Sequence, residues 1–465
     1  MNGYLILILA IIFVSFTIEV IVALLNVRSL HPDLPDEFSD VFDHDLYAGS
    51  QNYTRATTRF GLLQNSIMTP VTILFILLGG FNWIDNLARS MGQGSIITGL
   101  IFTGLLMLFS GIAGLPFSIY STFVIEERFG FNKTTVTTFI LDIIKSVALG
   151  IVIGGPILAL VLWFFEAGGP FAWMYCWLIV IGFVLIMQFL APVVIMPLFN
   201  KFTPLEEGEL KKSITNYAQS RNFKMKGIYT MDGSKRSTKL NAFFTGFGKF
   251  RRIVFFDTLI EKLSTDEIVA VLAHEMGHYK KKHIFKMMAA SILQMGIMFY
   301  ILSLFLNNKG LFAAFGMEHL SIYASLIFFG FLYSPISMLL GIATNFFSRR
   351  HEYEADAYAA STTSQPRDLI NGLKKLSAAN LANLTPHPLH VFLNYSHPPV
   401  LARIKALRKY LATMDPAKDT PDAKIPCDLC QRPIEPETLQ NENRSGQLLC
   451  ADCLTEGTSC GCSDD

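Results

Sequence analysis

Apolar positions in this chain gather in blocks. Seven blocks, at about 4–25, 66–84, 97–124, 138–165, 173–199, 285–306 and 320–345, hold almost no charge. A hydrocarbon core of about 30 Å takes around 20 helical residues to cross, and each block is about that long or longer. Repetition of such blocks predicts a mainly α, polytopic membrane protein with seven transmembrane helices. The first block follows "MNGY", which has no basic residue, and no small-residue cleavage site comes after it. It is therefore expected to be a retained span and not a signal peptide.

The largest polar insert, 201–283, carries other periods. "LKKSITNYAQSRNF" has helical spacing, whereas "GIYTMD" (227–232), "NAFFTGFG" (241–248) and "RIVFFDTL" (252–259) read as short strands between turns. Together they predict a small α+β layer. It feeds a helix in "LSTDEIVAVLAHEMGHYKKKH", where Ser264 and Glu267 have capping-box spacing and Asp266 suits the positive helix start. Ile268, Val271, Leu272 and Met276 form its apolar stripe, and Lys280, Lys281 and Lys282 suit an interfacial anchor. After the last block, "SRRHEYEADAYAASTTS" predicts a second polar helix.

The expected divisions are five spans with their loops (1–200), the α+β segment (201–283), spans six and seven (284–346), and a further polar segment (347–414). A linker and a short Cys-rich C-terminal module follow (415–465).

Net charge is +1, which gives no reason to expect nucleic acid as a partner. The distribution of charge says more. Arg89 and Lys309 fall in one set of loops. Arg28, Arg55, Arg59, Arg128, Lys133, the basic residues of 201–283 and the tail after Arg349 fall in the other. Cytoplasmic loops collect Lys and Arg, so the N-terminus is expected outside and the C-terminus in the cytoplasm. Glu19, Asp142 and Lys145 are costly inside a membrane. Asp142 and Lys145, three apart on a helix, are spaced to pair, to line a polar chamber or to snorkel from a span end, and spacing alone leaves these open.

Chemistry concentrates in "HEMGH". His274 and His278 are four apart and share a helix face, with Glu275 between them. In this H-E-x-x-H arrangement the two imidazoles bind Zn²⁺ and the glutamate is general base toward the water that zinc activates. Gly277 is read as leaving room for the metal. A catalytic zinc takes three protein ligands and keeps one open position. "HEYEADAYA" offers His351, Glu352, Glu354 and Asp356. Glu352 and Asp356 share a face, so one can bind zinc while the other holds a ligand histidine. Glu352 is favoured as ligand over His351, with Asp356 behind it. Glu354 is expected to be solvated, and His283 is not needed as a ligand.

In the tail, "CDLC" (Cys427, Cys430) and "CADC" (Cys450, Cys453) are separated by 19 residues. That spacing suits a zinc ribbon, and a cytoplasmic location disfavours disulfides. A second, structural zinc is expected there.

"HEMGH" and "EYEADAYA", together with "FVIEERFGFN" (123–132), "MPLFNKFTPL" (196–205), "LNAFFTGFGKFRRIVFFDTL" (240–259) and "SHPPVLARIKAL" (396–407), resemble the CAAX prenyl protease 1 family over about residues 1–410. The resemblance implies a membrane zinc metalloendopeptidase whose seven helices enclose a water-filled chamber, with the site facing it at the cytoplasmic end. Its partners would be a peptide or protein substrate and the bilayer. Eukaryotic members remove three residues after a prenylated cysteine.

Carried onto this sequence, Asn241 would hold the substrate backbone, His397 would stabilise the oxyanion, and Arg403 would support the site by ion pairing. Thr245 departs from the pattern, where an aromatic residue is expected. The tail lies outside the family core and suggests a bacterial inner-membrane homologue. The competing readings are a membrane quality-control zinc protease, which typically has fewer spans, and a non-enzymatic zinc-dependent scaffold.

Overall fold

The computed structural model describes residues 2–245 and 251–414. Cys427, Cys430, Cys450 and Cys453, and positions 246–248 of the second predicted strand, lie outside the described residues. The chain divides into residues 1–403 and 404–465.

Among the described residues, seven helices are long and apolar enough to cross a membrane: Gly3–Arg28, His44–Leu77, Ser95–Glu126, Val136–Ala167, Gly169–Phe199, His283–Phe305 and Ile322–Thr362. Many of their apolar side chains are exposed; Phe13, Ile151 and Leu339 are about two-thirds so. A water-soluble fold would bury such surface, whereas a lipid-facing helix must present it. The protein is an integral, multi-pass membrane protein.

Two boundaries differ from expectation for physical reasons. The second helix starts 22 residues before the predicted 66, at His44, where the Asp43 carboxylate accepts the Leu46 N–H at 2.7 Å. Hydropathy missed this stretch because its helix is polar. It also stops early, since Gly79 takes a left-handed φ of +73° that turns the chain into the separate helix Gly80–Arg89. The seventh helix runs unbroken for 41 residues to Thr362. At 1.5 Å per residue it is about 60 Å long, twice the hydrocarbon core. "HEYEADAYA" is therefore the protruding end of a span and not a separate helix.

The ionisable groups of the spans also find partners that local spacing did not give. Asp142 accepts a bidentate pair from Arg236 of the polar insert, at 2.8 and 2.9 Å. Lys145 instead donates to the Leu198 carbonyl at 2.8 Å. Glu19 accepts from Asn65 at 2.6 Å.

The insert forms a four-stranded sheet of β1 (Phe202–Pro204), β2 (Gly227–Met231), β3 (Ala242–Thr245) and β4 (Arg252–Phe256), in the order β1-β2-β4-β3. β2 and β4 are parallel, and β3 lies antiparallel to β4 with Ala242 opposite Phe255. The last strand is shorter than predicted because Asp257 opens a short helix, Asp257–Lys262. Ile253 and Phe255 of β4 pack with Leu259, Ile268, Leu272 and Met276, which fixes the HExxH helix on the sheet. Among the described residues β3 lies at the edge of the sheet.

Candidate functional site

The helix Thr265–Lys280 begins with the expected capping box: the Ser264 hydroxyl accepts the Glu267 N–H, and the Glu267 carboxylate accepts the Ser264 N–H. Lys375 pairs with the same carboxylate at 2.7 Å and anchors this end. At the other end Gly277 meets the seventh helix. A Cβ there would lie 2.9 Å from the Ala355 Cα and 3.0 Å from its carbonyl oxygen. The space at Gly277 thus admits a helix backbone, not a metal as the sequence suggested. Gly277→Ala is expected to cost about 1–3 kcal/mol through overpacking and to lower the zinc bound per chain. Thermal unfolding in detergent, with metal analysis, checks it; unchanged stability and zinc would show that the helices are free to part.

This close approach brings Glu352, one turn before Asp356, against both histidines. His274 Nε2 and His278 Nε2 are 3.2 Å apart. Glu352 Oε2 is 3.4 Å from the first and Oε1 is 3.2 Å from the second. A tetrahedral ion with ligands at about 2.0–2.1 Å sets its donors roughly 3.3 Å apart, so these three residues fit zinc. Glu352 Oε2 is buried with no hydrogen-bond partner, an acceptor suited to a cation. Among the described residues, His274, His278 and Glu352 form the group whose donors converge closely enough for a metal.

Behind them, His274 Nδ1 lies 2.8 Å from Asp356, as the i+4 spacing implied. Arg403 clamps that carboxylate, donating from Nε at 2.9 Å and Nη2 at 2.6 Å, and its Nη1 is 3.4 Å from Glu352. Burial and the Arg403 charge press the His274 pKa down; the carboxylates of Asp356 and Glu352 outweigh them and hold it up at about 9. Burial also opposes the Arg403 charge, but Asp356 and Glu352 more than offset this.

His397 brings Nε2 to 3.4 Å from Glu352 Oε1 and stays largely exposed. Asn241 is exposed at the head of β3, and its carbonyl accepts the Phe256 N–H at 3.0 Å. Both line a cavity of about 540 Å³ with His274, Glu275, His278 and Glu352. Glu275 also lines a second cavity of about 570 Å³, walled by Phe183, Phe243, Phe244 and Phe285, with Thr245 on its edge. The general-base candidate therefore stands between two spaces, one of them walled by aromatic rings.

One expectation needs correction. Glu354 is only partly solvated: its Oε2 lies 3.1 Å from His283 Nε2, and Arg350 pairs with its other oxygen at 3.3 Å. His283 opens the helix His283–Phe305, and its Nδ1 is 3.1 Å from His278 Nδ1. His351 stacks on His283, with ring centres 4.0 Å apart, and is no ligand.

Sequence reasoning also missed Asn380. Its side chain accepts the Leu240 N–H at 2.8 Å and donates to the Leu240 carbonyl at 3.2 Å, as a neighbouring strand would. Lys239, next to it, binds Glu126 at 2.8 Å, and Tyr53 donates to the same carboxylate at 2.5 Å. The approach to Asn241 is held from both sides.

Residues 23–201 match the family described as "CAAX prenyl protease N-terminal, five membrane helices", and residues 204–411 match "Peptidase family M48". A CAAX prenyl protease 1 homolog of Oryza sativa subsp. japonica is 38% identical over 384 residues, covering 81% of this chain and 90% of that protein. CAAX prenyl protease 1 of Saccharomyces cerevisiae is 38% identical over 404 residues, covering 80% and 88%. The crystal structure of S. mikatae Ste24p is similar at a TM-score of 0.84 and 35% identity, covering 88% of this chain and 99% of that one.

Proposed function

The chain belongs to the CAAX prenyl protease 1 family, a branch of peptidase family M48, and from that premise we propose how its residues divide the work of a zinc metalloendopeptidase. His274, His278 and Glu352 hold the zinc. Zinc supplies Lewis-acid chemistry there, bringing the pKa of a water to about 7 and polarising a carbonyl.

Glu275 takes the proton from the attacking water and passes it to the leaving amine. An extended substrate segment adds to the edge of β3, where Asn241 fixes its backbone. His397 donates to the oxyanion as charge develops. Asp356 orients His274, and Arg403 fixes Asp356. The observation that carries this reading is the convergence of three donor atoms at 3.2–3.4 Å beside Glu275, in one cavity with Asn241 and His397. Chelation is expected to suppress cleavage of a prenylated or unstructured reporter peptide, and added zinc to restore it. Cleavage indifferent to chelation would overturn the reading.

The apolar cavity beside Glu275 suits a lipid-modified or large apolar side chain of the substrate. The low burial of the span helices supports helices that enclose a chamber. The bias of Lys and Arg between the two sets of loops supports an outer N-terminus and a cytoplasmic C-terminus, with the site on the cytoplasmic side. The division at about 200, 283, 346 and 414 follows the alternation of spans with polar segments. Cys427, Cys430, Cys450 and Cys453 take a second, structural zinc by their spacing. This tail, beyond the family match that ends at 411, is the ground for proposing a bacterial inner membrane.

A further inference from the structure

We propose that His283, held by Glu354, is a positioning residue that fixes the ring and tautomer of the zinc ligand His278. The inference rests on the ligand set proposed above. His278 turns Nε2 toward His274 and Glu352, so that nitrogen carries the lone pair and Nδ1 carries the proton. The Nδ1–H points at His283 Nδ1, 3.1 Å away, which must then be the acceptor. An imidazole accepting at Nδ1 keeps its own proton on Nε2. That proton faces Glu354 Oε2 at 3.1 Å. One neutral tautomer of each ring satisfies the whole chain, ending on a carboxylate.

The two ligand histidines are thereby supported in parallel ways. His274 reaches Asp356 directly, while His278 reaches Glu354, two residues earlier on the same helix, through an interposed imidazole. The interposed ring is fixed. Its residue is 2% exposed, and it lies against His351 with the planes 11° apart. Lys282, just before it, takes a left-handed φ of +59°, a costly conformation for a lysine, and this turn sets His283 back beside His278. A partner that orients a metal-binding histidine is worth about 10–100-fold in metal affinity.

The test is zinc competition against a chromophoric chelator, on the full chain in detergent, with Glu352→Ala as the blank for any other metal site. His283→Phe keeps a flat ring against His351 but removes the acceptor, and it should weaken zinc about 10–100-fold. His283→Gln restores both an acceptor and a donor and should recover most of the affinity. The visible spectrum of cobalt-loaded protein should shift for the first variant and return for the second. Glu354→Ala should weaken zinc in the same direction, and adding it to His283→Phe should change little. Wild-type affinity in His283→Phe, or a Gln variant no better than the Phe one, overturns the proposal. A wild type holding no more zinc than the blank overturns the ligand set itself.

Discussion

Replacing Glu275 by Gln is expected to leave zinc bound and to reduce kcat by about 10²–10⁴-fold, the usual contribution of a positioned general acid–base group. The substitution preserves shape and keeps one acceptor oxygen, but an amide takes no proton from water at neutral pH. Metal binding should survive because Glu275 donates to none of the convergent contacts: those belong to His274, His278 and Glu352. The loss should fall on kcat more than on KM, since Glu275 acts on the reacting water and β3 grips the peptide. Metal content and steady-state cleavage of a reporter peptide, measured on the same preparation, decide the matter. A variant that loses zinc along with activity would make Glu275 structural, and one that cuts at the wild-type rate would remove it from the mechanism.

The parts of the site that could be read from the sequence are those built from one helical turn. His274 with His278, and Glu352 with Asp356, are i,i+4 pairs whose geometry is fixed once the segment is helical. The seven spans were legible for a similar reason, because bilayer thickness sets their length. What stayed hidden depends on chain folding over distance. Glu354 reaches His283 across 71 positions, and Asn380 reaches Leu240 across 140. Neither pair leaves a mark in local spacing, and the backbone turn at Lys282 that aims His283 shows no glycine to announce it.

Local spacing was also not enough. Asp142 and Lys145 fit a helical pair, yet the guanidinium of Arg236 offers a bidentate partner that a single ammonium cannot. Gly277 was read for the metal it neighbours when its requirement is the backbone of Ala355. In "FVIEERFGFN" the resemblance preceded its explanation: Glu126 binds Lys239 and Tyr53, which steadies the segment entering β3.

Arg403→Ala should be the most destabilising single change near the site. Arg403 is buried, and it alone supplies fixed positive charge to Asp356 among the contacts of that carboxylate, with Glu352 a further 3.4 Å from its Nη1. Removing one member of a buried pair costs about 3–5 kcal/mol, since the remaining charge keeps its desolvation penalty and loses its attraction. Here two carboxylates would be left together, and Asp356 would lose the clamp that aims it at His274. Zinc should partly offset the loss, because a divalent cation bound by Glu352 restores positive charge to the same place.

The variant is therefore expected to unfold at a clearly lower temperature than the wild type, with a larger gap after chelation than before. Arg403→Lys should recover part of the charge but not the two-pronged grip on Asp356. Thermal unfolding in detergent, with and without zinc, measures all of this. An alanine variant as stable as the wild type after chelation would show that the clamp is dispensable. A lysine variant that matches arginine would show that charge matters there and geometry does not.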